Sequence, residues 1–178
     1  MKYLRYLLII PCLLLSVHSM AISESEKQLR AMFIYNFANL VEWPSKAFAK
    51  RSDPLKLCVV GDVPFIDYLY PMAGTFIGPR EFQITQSNNL QKTGKCQILF
   101  VGDDIRPELL KAFKSGQYIY ILSVSEQSGF IENGGIINIV NTVEKLSFDI
   151  NLDSARKQGL QVSSDLISLA RNIRKLQE

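Results

Sequence analysis

Leu55-Lys56-Leu57-Cys58-Val59-Val60-Gly61-Asp62 and Cys96-Gln97-Ile98-Leu99-Phe100-Val101-Gly102-Asp103 share one pattern, a short apolar run that closes on Gly-Asp. Each is followed by helical signals: Pro64 to Met72 has proline in its first turn, and Arg106 to Lys114 is stopped by Gly116. A third apolar run spans Tyr118 to Val124. Uninterrupted apolar runs of this length read as strands covered on both faces, and their alternation with helices implies parallel pairing. The expected fold class is therefore α/β. It is a single domain with a mostly parallel sheet, flanked by helices on both faces, with a C-terminal hairpin and helix. A lone Gly-Asp is the ordinary exit from a strand and lacks the multiple glycines of a phosphate-binding loop.

Working outward toward the N-terminus, Ser23-Glu24-Ser25-Glu26 has the spacing of a capping box, so a helix is expected to start there. Leu29, Phe33, Phe37, Leu40 and Val41 form its apolar stripe, and Trp43-Pro44 stops it. Arg80 to Thr85 alternates as an edge strand. Toward the C-terminus, Gly134-Gly135 opens a strand through Val140. Leu146 to Leu152 follows, with Leu146, Phe148, Ile150 and Leu152 on one face and Ser147, Asp149 and Asn151 on a wetter one. These two strands predict a hairpin around Asn141 to Glu144. Asp153 caps a short helix ended by Gly159. Ser163 or Ser164 caps a final helix with Leu166, Leu169, Ala170 and Ile173 as its stripe.

Lys2 and Arg5 followed by the apolar run Leu7 to Val17 and by Ser19-Met20-Ala21 read as a secretory signal over residues 1–21. The run is too short to cross a bilayer, so no direct membrane insertion is expected. The mature domain is then 22–178, with no linker to divide it. Lys2 and Arg5 take two of the 20 cations with them, leaving 18 against 17 acidic residues, so nucleic-acid binding is not expected.

His18, the one histidine, also leaves with the signal. The mature chain cannot build a Ser-His-Asp or Cys-His site or a histidine-ligated zinc, and its two cysteines cannot make a four-cysteine site. No catalytic residue, metal ligand or cofactor is assigned, and the chain is not expected to be an enzyme. Cys58 and Cys96 in an exported protein suggest one disulfide, against the alternative of two buried thiols acting as small hydrophobes.

The segment Ala31-Met32-Phe33-Ile34-Tyr35-Asn36-Phe37-Ala38-Asn39-Leu40-Val41-Glu42-Trp43-Pro44 resembles the opening signature of the YfiR family of periplasmic regulators. The resemblance continues in order through Leu57 to Asp62, Cys96 to Phe100, Ile121 to Ser125, Gly134 to Ile137 and Phe148 to Leu152, with Ala155, Gly159, Leu160 and Ser163-Ser164. It implies a periplasmic protein that binds the sensor domain of an inner-membrane diguanylate cyclase and represses it. Cyclic-di-GMP, exopolysaccharide and biofilm formation would fall in consequence. A homodimer is compatible with it.

Cys58 and Cys96 match that family's structural cysteine pair. The chain departs from some members in having no cysteine between Val124 and Ile131, so a second disulfide there is not expected. Partner contacts are expected at Tyr35, Trp43, Phe130, Glu144 and Asp149. Tryptophan and tyrosine are enriched in interface hot spots, and Phe130 lies among turn-formers beyond a strand. The alternative function is a periplasmic small-molecule binding module, because open parallel sheets bind ligands at their carboxyl edge.

Overall fold

The computed structural model describes residues 22–88, 95–102, 119–142 and 145–175. In chain order the elements are α1 (Glu24–Leu40), β1 (Val41–Glu42), β2 (Leu55–Val60), α2 (Ile66–Leu69), β3 (Phe76–Ile77), β4 (Arg80–Ser87), β5 (Ile98–Val101), β6 (Leu122–Ser125), β7 (Ile137–Asn141), β8 (Leu146–Asn151), α3 (Leu152–Lys157), β9 (Gln161–Val162), α4 (Ser164–Leu169) and β10 (Asn172–Arg174). Eight strands form one sheet in the order β10-β8-β7-β6-β5-β2-β4-β3, and β1 pairs with β9 separately.

The sheet is mixed, which corrects the expectation of a mostly parallel one. From β4 through β2, β5 and β6 to β7 the pairing is parallel, as it is between β10 and β8, whereas β3–β4 and β7–β8 are antiparallel. The reason is connection length. β3 and β4 are joined by a tight turn and β7 and β8 by a short hairpin, and links this short permit only antiparallel neighbours.

The central strands are buried on both faces. Leu57, Val59, Ile98, Phe100, Leu122, Val124, Ile137 and Ile139 join one core with residues of α1, α2, α3 and α4. Cys58, Leu99 and Val101 alternate onto the other face and pack with Cys96 and Phe130. The helix expected over Arg106 to Lys114 lies outside the described residues, as do the signal sequence and Glu144. Among the described residues every α-helix contributes its buried apolar side chains to the first core, so helices on both faces are not seen among them.

The capping box is formed as the sequence predicts, with Ser23 Oγ accepting from Glu26 N and the Glu26 carboxylate accepting from Ser23 N. The buried side chains of α1 are Arg30, Ala31, Ile34, Phe37 and Ala38; of the expected stripe Phe37 and Val41 are buried in the core and Phe33 and Leu40 pack against it, while Leu29 is left 38% exposed. Phe33 and Phe37 of that stripe both meet the Phe148 ring, at 6.0 and 5.0 Å, and these contacts fix which side of the helix faces β8.

Three further expectations are qualified or changed. β4 is an edge strand for most of its length, with the two-residue β3 covering only Arg80 and Glu81 on its outer side. The polar face of β8 is not wet: Ser147, Asp149 and Asn151 are all buried. The chain does not finish in a long helix either. After α4 it turns into β10, parallel to β8, which leaves Leu169 and Ile173 largely exposed.

One buried side chain joins several of these elements. Gln97 Oε1 accepts from Lys56 N at 3.0 Å and its Nε2 donates to Ala47 O at 3.2 Å. Its backbone N donates to Lys56 O, and its carbonyl accepts from Leu122 N and from Trp43 Nε1. The neighbouring Cys96 is bonded to Cys58, with 5.9 Å between their Cα atoms.

Candidate functional site

A half-open cavity of about 510 Å³ lies beyond the carboxyl end of β6, between α1, the loop from Glu126 to Ile136, β7, β8 and the chain entering β10. Its charged lining comes from Arg30, Glu126, Glu132, Asp149 and Arg171. No two of these are within three residues of each other in sequence, so the cavity is assembled by the fold.

The loop owes its shape to Phe130. The strand β6 ends at Ser125, whose hydroxyl donates to Val101 O at 2.8 Å, and the following turns carry Phe130 back into the second core, where it is 1% exposed. Gly135 N donates to Phe130 O, and the Phe130 ring lies where a Cβ on Gly135 would stand, at 2.3 Å. Only glycine permits that approach. Asn138 reaches from β7 to the same loop, and with its amide assigned so that the nitrogen faces the two carbonyls it donates to Gln127 O at 2.7 Å and Ser125 O at 3.2 Å.

Two ion pairs cross the cavity walls. Arg30, with a side chain 4% exposed, donates from Nε to Glu126 Oε1 at 2.6 Å and from Nη1 to Glu26 O. Arg171 grips Asp149 with two parallel bonds, Nε to Oδ1 at 2.8 Å and Nη2 to Oδ2 at 2.5 Å, and Asn172 adds a third to Oδ1. The bond to Asp149 raises the Arg171 pKa further. A charge-assisted bidentate pair such as Arg171–Asp149 fixes geometry strongly. The lining as a whole holds two guanidiniums and three carboxylates.

Of the residues expected to touch a partner, Asp149 lines the cavity and Phe130 shapes it from behind. Phe130 itself offers no surface in this structure, because its ring completes the core under the loop. Tyr35 and Trp43 lie elsewhere. The Tyr35 hydroxyl meets Thr75 Oγ1 at 3.2 Å and its ring meets Phe82 edge-on, while Trp43 donates to Gln97 O. Both are half-buried. Glu144 falls outside the described residues.

Arg30, Glu126, Glu132 and Arg171 were not singled out by sequence. One signal was available for Arg30, a cation set between Leu29 and Ala31 on a helix side that is otherwise apolar. Nothing local marked Glu126, whose partner is 96 residues away. Compared with known families, residues 27–171 match the model described as YfiR/HmsC-like.

Proposed function

Because the chain belongs to the YfiR/HmsC-like family, we propose that it is a periplasmic regulator that binds the sensor domain of an inner-membrane diguanylate cyclase and holds that enzyme inactive. The family match carries this reading. It agrees with a non-catalytic role, with the Cys58–Cys96 bond of an oxidising compartment, and with the absence, among the described residues, of any helix long and apolar enough to cross a membrane.

Repression by binding is bounded by differential affinity. To move a cyclase from 1:99 to 99:1 in favour of its inactive state, the regulator must prefer that state by about 10⁴-fold. A rigid docking face serves this end, because a surface ordered before contact loses little entropy on binding. The loop from Glu126 to Ile136 is such a face: Phe130 anchors it in the core, and Arg30 and Asn138 tie it to α1 and β7. On this reading the exposed residues of the loop contact the cyclase, the buried Asp149, expected as a contact, instead holds the wall behind them through Arg171, Tyr35 and Trp43 lie to one side, and the protein acts as a monomer or dimer.

Deleting the gene raises cyclic-di-GMP in a strain that expresses the cyclase and leaves it unchanged in a strain without that enzyme. Equal cyclic-di-GMP with and without the gene, in a strain shown to make the cyclase, refutes the reading. A second reading, a periplasmic small-molecule binding module, draws on the cavity, whose volume of about 510 Å³ lies in the range of ligand sites. A thermal-shift screen with metabolites separates the two.

A further inference from the structure

From the charges that line the cavity beside the Glu126 to Ile136 loop, we infer that it receives a basic side chain, lysine or arginine, from the partner domain, with Glu132 as the carboxylate that meets it. This deepens the repressor reading and rests on it.

The cavity's own cations are already consumed. Arg30 is nearly buried and bonded to Glu126, and Arg171 is clamped on Asp149 through two of its nitrogens. Neither guanidinium is presented as a receptor for an anion without first breaking a pair, and breaking such a pair strands a largely buried carboxylate. Glu132 differs from the other two carboxylates. It is exposed at the mouth, and among the described residues it takes part in no ion pair. The lining therefore carries one negative charge in excess, three carboxylates against two guanidiniums, and the excess sits where an incoming group arrives.

Size and shape agree with a protruding side chain. The cavity is half open, with a volume of about 510 Å³, and its walls include Ile131, Ile139 and Val140, which suit the methylenes of such a residue. Its far wall is preorganised by the ion pairs and by Asn138, so the guest meets fixed dipoles rather than mobile ones. Arginine in a well-packed pocket is a common hot spot of protein interfaces, and complementary rim charge accelerates encounter.

The test uses the full mature protein and the purified sensor domain of the cyclase. Glu132→Lys lowers affinity for the sensor domain by about tenfold or more, with a shallower salt dependence, and Glu132→Gln lowers it by about threefold. Glu132 is exposed, and an unchanged circular dichroism spectrum and Tm confirm that both variants fold. In parallel, methylguanidinium chloride is titrated into the wild-type protein and followed by amide NMR. Shifts are expected at Ser128 to Gly134 and at Asn138 to Asn141, and their loss in Glu132→Lys.

Sensor-domain affinity that is the same for wild type and Glu132→Lys at every salt concentration overturns the inference and leaves the repressor reading standing. A wild-type protein that binds no sensor domain overturns the repressor reading. In that case methylguanidinium shifts at the named residues still support a site for basic groups, and no shifts there overturn it too.

Discussion

Replacing Gly135 by alanine tests whether Phe130 is an anchor of the loop or a contact on its surface. A Cβ at Gly135 would lie 2.3 Å from two carbons of the Phe130 ring, well inside contact distance, and the ring is 1% exposed, so it cannot swing away into solvent. Overpacking a full core costs about 1–3 kcal/mol, and an approach this close belongs in the upper half of that range. Against this, alanine has less freedom to lose from the unfolded chain, worth about 0.4–1 kcal/mol in its favour. The net expectation is a loss of about 2 kcal/mol.

For a domain of this length that corresponds to a fall in Tm of about 4–8 °C. Phe130→Leu alone should cost about 1–2 kcal/mol by leaving a small cavity. Together the two changes relieve each other, because the smaller side chain makes room for the new methyl. The double variant should then be at least about 1 kcal/mol more stable than the sum of the single losses predicts. Urea unfolding of wild type, both singles and the double, followed by circular dichroism, measures all four corners. Additive losses, or a Gly135→Ala protein within about 0.5 kcal/mol of wild type, would refute the packing argument and return Phe130 to the surface.

The Cys58–Cys96 bond closes a loop with a sequence separation of 38, worth about 4 kcal/mol in the chain-entropy model, so Cys58→Ala with Cys96→Ala should lower the urea midpoint accordingly. A loss below about 1 kcal/mol, or an exported wild-type protein whose mass shows both thiols free, contradicts this. At the start of α1 the hydrogen bond from Lys27, then that from the Tyr68 hydroxyl, holds the Glu24 carboxyl below the ordinary glutamate range. The linked stabilisation is therefore full above the unfolded-state glutamate pKa and is lost as pH falls through the depressed folded value. Carboxyl NMR should show the Glu24 pKa rising more in Lys27→Ala than in Tyr68→Phe, and the reverse order would mean the ranking of the two bonds is wrong.

The parts of the fold that the sequence announced are those set by local chemistry or by burial on both faces. Ser23 and Glu26 cap α1 through atoms three residues apart, and Leu57 to Val60 and Ile98 to Val101 are apolar because both sides of those strands are covered. The parts it concealed depend on distant partners. Ser147, Asp149 and Asn151 look like a wet face, yet Asp149 is met by Arg171 and the Asn151 amide donates to Ile131 O, so the polar side of β8 is buried without loss.

The same arginine redirects the end of the chain. Leu166, Leu169, Ala170 and Ile173 have helical spacing, but Arg171 N donates to Phe148 O, and three residues are drawn into a strand instead. For the candidate site, Asp149 and the neighbourhood of Phe130 were legible in the sequence. The remaining charges were not, because Arg30 and Glu126 have meaning only as a pair and nothing in either segment indicates the other.

Gln97 has a bearing on what the disulfide contributes. Its amide and backbone align β2, the segment at Ala47, Trp43 and β6 by five hydrogen bonds, none of which involves sulfur. The residue next to Cys96 is therefore located by the carbonyl and amide groups around it, and the two thiols are delivered face to face by a register that owes nothing to oxidation. The disulfide acts as a bolt on a door already shut. Reducing the bond would remove its constraint on the unfolded chain and make the protein easier to unfold, while these five hydrogen bonds are still available to hold the register.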